Sequence, residues 1–426
     1  MIHAAYTLLM RAAQPLFRRK LQRRGQAEPG YLESVEERFG RYAGPTEPGR
    51  LWIHAVSLGE TRAAAILVET LRQRDQRLRF LLTHGTATGR AEGQALLQPG
   101  DAQAWLPWDI PSAVDRFLAH FRPCAGVLME TEIWPNLVAG CTSRGVPLAL
   151  ANARLSDKSL RQARRVGALS RPAYAALSAV WAQTESDAQR LAQAGARVGG
   201  VFGNLKFDAR PDPARLAQGR AWREHARRPV LMFASSREGE EAALLGVLRR
   251  SAEAAAAAQW LLVPRHPQRF DEVAALAVDA GFAVSRRSGW PPAGPGTAPA
   301  LWLGDSLGEM PLYYALADAA LLGGSFEPLG GQNLIEAAAC GCPVVMGPHT
   351  YNFAEAAEQA QASGAALRVA TLEEAVRQVL ALVNDTPRHA QAVQAASAFA
   401  SAHRGAADRT AEALLAWLPV ATAVAR

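Results

Sequence analysis

The 426-residue sequence has few cysteines and lacks several motifs that would point to metals or phosphate loops. No two of its four cysteines form a C-x-x-C pair, which argues against a disulfide framework and a cysteine-based zinc site. It also contains no D-x-D, no G-x-x-x-x-G-K-[ST] and no H-E-x-x-H motif, so a catalytic metal is not indicated. We therefore expect reduced thiols and no metal cofactor.

Lysine is also scarce, whereas arginine is abundant. Only Lys20, Lys158 and Lys206 occur among 46 basic residues, and 39 acidic residues leave a net charge of +7. That charge is compatible with a nucleic acid, an anionic lipid or a phosphorylated substrate. Nucleic acid ranks lowest, because zinc-finger spacing, RNP-like aromatics and long basic tracts are missing. With 49% hydrophobic residues, the composition is globular, and the length predicts two or three domains.

The first 28 residues combine a short apolar run with a cluster of cations. Met1–Met10 is largely apolar, and six basic residues follow before the first acid, Glu28. The run is too short to span a bilayer comfortably, and its charge order is the reverse of a signal peptide. We predict a membrane-associated helix at an anionic surface over residues 1–28. The alternative is a surface helix that packs on the protein's own domain.

Strands and helices alternate along the rest of the chain, which is typical of an α/β fold. Short buried strands that end in polar clusters are predicted at Leu51–Val56, Leu78–Thr83, Ala125–Met129, Pro147–Ala151, Val180–Gln183, Val198–Gly203, Pro229–Ala234, Trp260–Val263, Ala320–Gly323 and Pro343–Met346. We interpret them as two Rossmann-like, doubly wound domains, at 29–207 and 229–405. A hinge is predicted at 208–228, and a C-terminal helix at 406–426 is a candidate for crossing back to the first domain.

The second half carries signals of a nucleotide site. Two glycines precede a predicted helix start in the segment Gly330-Gly-Gln-Asn-Leu-Ile-Glu336. Free N–H groups at such a start favour an anion. Asn333 and Glu336 lie one turn apart and can face one ligand. Arg265 lies at the tip of a predicted strand and suits bidentate phosphate contact. An ordinary capped helix and a rigid surface loop are the alternative readings.

The first half carries acids at strand ends. Ser57-Leu-Gly-Glu60 places a carboxylate at a helix start, where it could act as a general base. Glu130-Thr-Glu132 supplies a second acid pair, and Lys206 lies in a loop at the end of this half. Simple helix capping and a solvated amine remain the alternatives for these residues.

Six motifs occur in the order of one known family. They are Val56-Ser-Leu-Gly-Glu60, Met129-Glu-Thr-Glu-Ile-Trp-Pro-Asn136, Ala151-Asn-Ala-Arg-Leu-Ser156, Gly203-Asn-Leu-Lys-Phe-Asp208, Val263-Pro-Arg-His-Pro267 and Gly330-Gly-Gln-Asn-Leu-Ile-Glu336. Over nearly the whole chain, the sequence resembles the bacterial 3-deoxy-D-manno-octulosonic-acid (Kdo) transferases.

The resemblance implies a GT-B glycosyltransferase whose two domains face a central cleft. It implies inverting transfer of Kdo from CMP-Kdo to a lipid A precursor (lipid IVA), in lipopolysaccharide inner-core synthesis. It also implies that the enzyme acts at the cytoplasmic face of the inner membrane and needs no metal. Such a donor carries one phosphate, so the absence of a D-x-D motif is expected.

By position, the resemblance assigns roles to residues of both halves. It implies Glu60 as catalytic base, with Glu130 and Lys206 assisting the transition state. The implied donor contacts are Pro264, Arg265, Gly308, Glu309, Met310, Asn333, Leu334, Ile335 and Glu336. Arg154, Lys158 and Arg161 form a candidate patch for acceptor phosphates, although a solvated helix face explains some of them equally well.

Two other classes of function stay open from the sequence alone. One is another GT-B sugar-nucleotide enzyme, a UDP-sugar transferase or an epimerase. The other is a non-catalytic protein that binds a membrane surface. The number of Kdo units transferred and the oligomeric state do not follow from the sequence.

Overall fold

A computed structural model of the chain describes residues 2–296 and 301–418. The chain forms two compact units, one comprising Met1–Asp208 with Arg404–Arg426 and the other Ala209–His403. Each unit contains one seven-stranded sheet. Helices connect the strands in both, so each unit is a doubly wound α/β domain.

The sheet of the first unit has the order β3-β2-β1-β4-β5-β6-β7, and all neighbouring strands are parallel. The chain order reverses between β1 and β4, so this pair is the topological switch point, where ligands bind in such sheets. The strands are β1 (Leu51–His54), β2 (Phe80–His84), β3 (Ala102–Trp105), β4 (Ala125–Met129), β5 (Leu148–Ala153), β6 (Ala179–Ala182) and β7 (Val198–Val201).

The central strands of this sheet are buried on both faces. Every residue of β1, β2, β4 and β5 is buried, which is why they read as continuous apolar runs. The helices are α1 (Ile2–Ala12), α2 (Gln14–Ala27), α3 (Leu58–Arg74), α4 (Ala87–Gln94), α5 (Pro111–Phe121), α6 (Pro135–Ser143), α7 (Asp157–Arg165), α8 (Gly167–Ala175), α9 (Glu185–Ala194) and, near the end of the chain, α19 (Ala406–Leu415).

The sheet of the second unit is also parallel throughout, with the order β10-β11-β9-β8-β12-β13-β14. Its switch point lies between β8 and β12. The strands are β8 (Val230–Ser236), β9 (Gln259–Pro264), β10 (Val284–Arg286), β11 (Leu301–Leu303), β12 (Ala319–Leu322), β13 (Val344–Met346) and β14 (Ala366–Arg368). The helices are α10 (Pro213–His225), α11 (Glu240–Arg250), α12 (Ala252–Ala257), α13 (Phe270–Asp279), α14 (Met310–Leu316), α15 (Leu334–Ala339), α16 (Ala354–Ala362), α17 (Leu372–Asn384) and α18 (Thr386–Ala402).

Two doubly wound Rossmann-like units confirm the predicted fold class, and all ten predicted strands are present. The strands β3, β10, β11 and β14 were not predicted from the sequence. The segment 208–228, for which we predicted a hinge, is mostly α10. This helix packs on α14 so closely that a Cβ at Gly219 would lie 2.3 Å from the carbonyl oxygen of Leu312.

The N-terminal segment forms two helices that are attached to the first unit. The Tyr6 hydroxyl donates to Asp109 (2.8 Å), and the Thr7 hydroxyl donates to the Asn136 side chain (2.9 Å). The Phe17 ring stacks on Trp108 with 4.5 Å between centroids. Across the described ranges, no helix has both the length and the apolar character needed to cross a bilayer.

The last described helix, α19, belongs to the first unit and packs on α3. Its start is held by Asp208, whose carboxylate accepts hydrogen bonds from the backbone N–H groups of Gly405 and Ala407. The apolar side of α19 joins the core beneath the first sheet, where Ala411 and Leu414 are fully buried. The C-terminal helix was predicted over 406–426, and its residues 419–426 lie outside the described part of the chain.

Candidate active site

Glu60 lies in the first turn of α3, directly after β1 at the switch point. Ser57 is the N-cap: its hydroxyl accepts from the Glu60 backbone N–H (3.4 Å) and donates to the Glu60 carboxylate (3.3 Å). The second carboxylate oxygen accepts from the Val56 N–H at 2.8 Å. This arrangement is a variant of the capping box in which the second donor is the N–H of Val56, one residue before the N-cap, and it fixes the carboxylate at the positive end of the helix.

The surroundings of Glu60 make it a stronger base than an exposed glutamate. Burial, with the nearby negative charges of Glu130 and Glu132, raises the pKa of Glu60 from its usual 4.5 to about 7. The hydrogen bonds from Val56 and Ser57 act in the opposite direction. A carboxylate with a pKa near neutrality suits general-base chemistry at physiological pH.

Glu130 directly follows β4, the strand beside β1. Its backbone is left-handed (φ 57°), and its carboxylate is 3% exposed. Two cations bind it: the Lys206 ammonium at 3.1 Å and the Arg154 guanidinium at 2.8 Å. The structure thus brings three predicted site residues into one ion cluster, in which two positive charges meet one negative charge.

The position of Lys206 depends on a buried asparagine. Lys206 lies in the short 3₁₀ helix Leu205–Asp208, and the Asn152 side chain accepts from the Leu205 N–H at 3.0 Å. Asn152 itself has a left-handed backbone (φ 51°) at the carboxyl end of β5. Both Asn152 and Ser57 are positioning residues that we did not predict as site residues. The S-x-x-E spacing of a capping box is the signal that identifies Ser57.

Glu132, the second acid of the Glu130-Thr-Glu132 pair, is a third carboxyl group near Glu60. Burial and the Glu130 charge raise its pKa, whereas a hydrogen bond from the Trp134 indole (2.8 Å) opposes this. Lys158 and Arg161 lie apart from these contacts, exposed on α7. Neither makes a hydrogen bond or ion pair with any residue in the described ranges.

The predicted donor residues of the second unit follow β9, β11 and β12. Because all strands are parallel, these segments meet at the same edge of the sheet. Pro264 ends β9 and is buried, and Arg265 follows it, half-exposed, with its N–H donating to the Ser236 carbonyl at 3.0 Å.

The Glu309 carboxylate is bound by side chains of its own unit. Its carboxylate is 6% exposed and is bound by Arg215 (2.5 Å), Arg287 (2.9 Å) and the Ser306 hydroxyl (2.6 Å). It therefore fixes the loop before α14. Gly308, at the tip of this loop, is exposed, and Met310 is half-buried at the start of α14.

Asn333 precedes the helix that carries the predicted donor residues Leu334, Ile335 and Glu336. The helix α15 has only six residues, and the Asn333 side chain caps it by accepting from the Ile335 N–H at 3.2 Å. Leu334 and Ile335 are buried in the core, so their side chains cannot reach a ligand. Glu336 is half-buried on the first turn. The helix is too short for a strong dipole, and one of its free N–H groups is already satisfied.

Two parallel Rossmann-like sheets, each with polar side chains at its carboxyl edge, are the architecture of GT-B glycosyltransferases. Consistent with this, residues 301–399 match the profile of the glycosyl transferases group 1. Residues 33–209 match the profile of the 3-deoxy-D-manno-octulosonic-acid transferases.

Curated relatives extend the match over the whole chain. The chain is 49% identical to a 3-deoxy-D-manno-octulosonic acid transferase of Bordetella pertussis, over 97% of this chain and 99% of the relative. It is 32% identical to the transferase of the same name from Haemophilus influenzae, over 97% and 98%. The chain therefore belongs to the 3-deoxy-D-manno-octulosonic acid transferase family, and it is a glycosyltransferase.

A solved structure shares the fold. UDP-GlcNAc 2-epimerase from Neisseria meningitidis, bound to UDP-GlcNAc, is 13% identical, with a TM-score of 0.57 over 86% of this chain and all of that one. At this identity the likeness shows the fold alone.

Proposed function

We propose that this transferase moves Kdo from CMP-Kdo to a hydroxyl of a lipid A precursor with inversion, and that Glu60 is the base. The observation that carries the proposal is the Glu60 carboxylate, fixed by its capping box and half-buried near two other acids. The names of the relatives and the six sequence motifs support the sugar and the donor.

The proposed step is a single displacement. The Glu60 carboxylate takes the proton of the acceptor hydroxyl, whose oxygen forms a bond to the anomeric carbon of Kdo. The bond from that carbon to the phosphate oxygen breaks, and its electron pair leaves with CMP. Proton removal by a positioned base contributes about 10²–10⁴-fold to such a reaction.

The Glu130 cluster supplies positive charge next to this base. Lys206 and Arg154 together carry one positive charge more than Glu130 neutralises. Fixed charges of this kind stabilise the negative charge that develops in a transition state. Arg154 is half-exposed, so it can also reach an acceptor phosphate together with Lys158 and Arg161 on the neighbouring α7.

We further propose that CMP is held by Arg265 and Glu336, and that no metal takes part. Arginine binds a phosphate bidentately, and a carboxylate binds ribose hydroxyls. Within residues 2–296 and 301–418, no group of three or more His, Cys, Asp or Glu is arranged to hold a metal ion. The single phosphate of the donor can be met by guanidinium groups alone.

The acceptor is a lipid, and the N-terminal helices supply a surface that suits the cytoplasmic face of the inner membrane. Ile2, Leu8, Leu9 and Leu16 are between 55% and 69% exposed. The cations Arg11, Arg19, Lys20 and Arg23 are exposed along the same two helices. Apolar side chains that enter an anionic interface, flanked by cations, bind membranes in this way.

The test is a transfer assay with the full-length protein, CMP-Kdo and a lipid A precursor in mixed micelles. We expect Kdo transfer in excess EDTA, inhibition by CMP, and weak inhibition by UDP. Mass analysis of the product counts the Kdo units. Activity that EDTA abolishes and Mg²⁺ restores would contradict the metal-free mechanism, and preference for UDP would favour another GT-B enzyme.

A further inference from the structure

One side chain at the switch point of the second sheet, that of Arg237, is not among the assigned donor contacts. Those contacts follow β9, β11 and β12, whereas β8 and β12 form the switch point. Ligands of doubly wound sheets bind at such a position, outside the carboxyl ends of the two strands. Arg237 is the first residue after β8, and the glycine loop 323–326 follows β12.

Glu240 joins these two loops. Its carboxylate is 1% exposed and accepts three backbone N–H groups: Arg237 at 2.9 Å, Gly324 at 2.7 Å and Phe326 at 3.1 Å. A buried carboxylate with several N–H donors holds its surroundings firmly, because losing any of them leaves a buried charge unsatisfied.

The two loops also approach too closely for most side chains. A Cβ at Gly323 would lie 2.2 Å from the carbonyl oxygen of Ser235, which itself has a left-handed backbone (φ 54°). Strained residues of this kind persist where the surrounding structure holds them, commonly at ligand sites. The backbone around Arg237 is therefore fixed before any ligand arrives.

The Arg237 side chain begins beside the glycine loop that follows β12. Its Cγ is 3.6 Å from the Cβ position of Gly324, and the Gln332 amide nitrogen is 3.1 Å from the same point. His266 lies near both Arg237 and Arg265, since burial and these two charges lower its pKa. Two guanidinium groups and a histidine thus share one edge of the sheet, and like charges so placed favour a bound anion.

The Arg237 guanidinium has donors to spare. Its Nε pairs with Glu238 at 2.8 Å, and side-chain exposures of 24% and 51% make this a weak surface pair. Its two Nη groups make no hydrogen bond or ion pair with any residue that the structure describes. Four N–H donors in a planar fork are what a phosphate or carboxylate binds.

We propose that Arg237 binds an anionic group of the sugar-nucleotide donor, and that Glu240 positions it. The anion is the phosphate or the carboxylate of Kdo, and the proposal rests on the donor proposed above. Arg237 would be the substrate contact supplied by β8, the central strand that lies between β9 and β12 and has no assigned residue.

The experiment measures Arg237→Ala in the full-length enzyme, with Arg249→Ala as the matched control. Arg249 is exposed in the last turn of α11, at the opposite end of the helix from the Arg237 loop. We measure KM for CMP-Kdo and the inhibition constants of CMP and of cytidine, which lacks the phosphate. Thermal denaturation checks that each variant is folded.

If Arg237 binds the phosphate, CMP inhibition weakens by roughly ten- to a hundredfold while cytidine inhibition is unchanged. If it binds the Kdo carboxylate, KM for CMP-Kdo rises by a similar factor while CMP inhibition is unchanged. A folded Arg237→Ala enzyme with KM and both inhibition constants within twofold of wild type would overturn the inference. A wild-type enzyme that transfers no Kdo from CMP-Kdo would instead refute the proposed function.

Glu240→Gln tests the positioning role by a double-mutant cycle. Alone, it should shift the same constant as Arg237→Ala and leave cytidine inhibition unchanged. In the Arg237→Ala background it should add little, because coupled residues are not additive. Full additivity of the two substitutions would show that Glu240 does not act through Arg237.

Discussion

Replacing Glu60 with glutamine should lower turnover and stabilise the protein at the same time. Glutamine keeps the shape and can still accept the Val56 hydrogen bond, so the capping box survives. It removes the base, and we expect kcat to fall by about 10²–10⁴-fold. CMP inhibition should be unchanged, because the nucleotide residues belong to the other unit.

The stability effect follows from the raised pKa. A carboxyl group with a pKa of about 7 in the folded state and 4.5 when unfolded holds its proton more tightly when folded. Its ionisation therefore costs stability as pH rises from 4.5 to 7, and the cost is complete above pH 7. The difference corresponds to about 3 kcal/mol. At pH 8 the variant should be more stable by about this amount, and near pH 4 the difference should vanish.

Two measurements check this reasoning. Wild-type kcat/KM for the acceptor should rise tenfold per pH unit below about pH 7 and then level off, because only the ionised carboxylate accepts a proton. Urea unfolding at pH 8 and pH 4 gives the stability of wild type, Glu60→Gln and the control Glu69→Gln, which changes an exposed residue of the same helix. Near-normal turnover of Glu60→Gln would remove Glu60 from the mechanism. If the variant were less stable at pH 8, the hydrogen bonds of the Glu60 carboxylate would stabilise the fold more than its burial destabilises it.

Three further variants test the rest of the proposal. Lys206→Met removes one of the two cations on Glu130 and should lower kcat by about 10–100-fold with KM for CMP-Kdo unchanged; unaltered kcat would exclude Lys206 from the transition state. Replacing both Leu8 and Leu9 by Glu should abolish flotation with anionic vesicles, which in wild type should weaken with salt; undiminished flotation would place the membrane contact elsewhere. Glu336→Ala should weaken CMP binding by about tenfold in calorimetry, and equal affinity would remove this residue from the nucleotide site.

The central strands could be predicted from the sequence because burial on both faces makes them continuous apolar runs. Leu51–His54 and Val230–Ser236 are examples. The strands that were missed are short or partly exposed. Ala102–Trp105 is an edge strand with a half-exposed beginning, and Leu301–Leu303 has only three residues, so neither shows a periodicity that can be recognised.

The helix α10 was missed for a different reason. Its prolines and arginines suggested a connector, yet Asp212 followed by Pro213 is also a helix-start signal. The Asp212 carboxylate caps the helix by accepting from the Ala214 N–H at 2.8 Å. The close packing of Gly219 on Leu312 favours the helix over a connector. The sequence does not show this contact, because the two residues are far apart in the chain.

Local motifs of the site could be predicted, whereas the pairing of its charges could not. The capping box around Glu60 spans four residues and is visible in the sequence. The engagement of Glu309 by Arg215 joins residues 94 positions apart, and that of Glu130 by Lys206 joins residues 76 apart. The chain is rich in both arginines and acids, and the topology of the sheets decides which of them form ion pairs.

The packing of α19 on α3 has a consequence for how the chain folds during synthesis. The first unit is discontinuous, because its core is completed by Ala411 and Leu414 near the end of the chain, whereas the second unit is one uninterrupted segment. Domains generally fold in the order in which they leave the ribosome. Here the second unit can finish folding while the first still lacks its last helix. A fragment ending at Asp208 would expose the apolar side of α3, so the second unit, from Ala209 to His403, is the one to express in isolation.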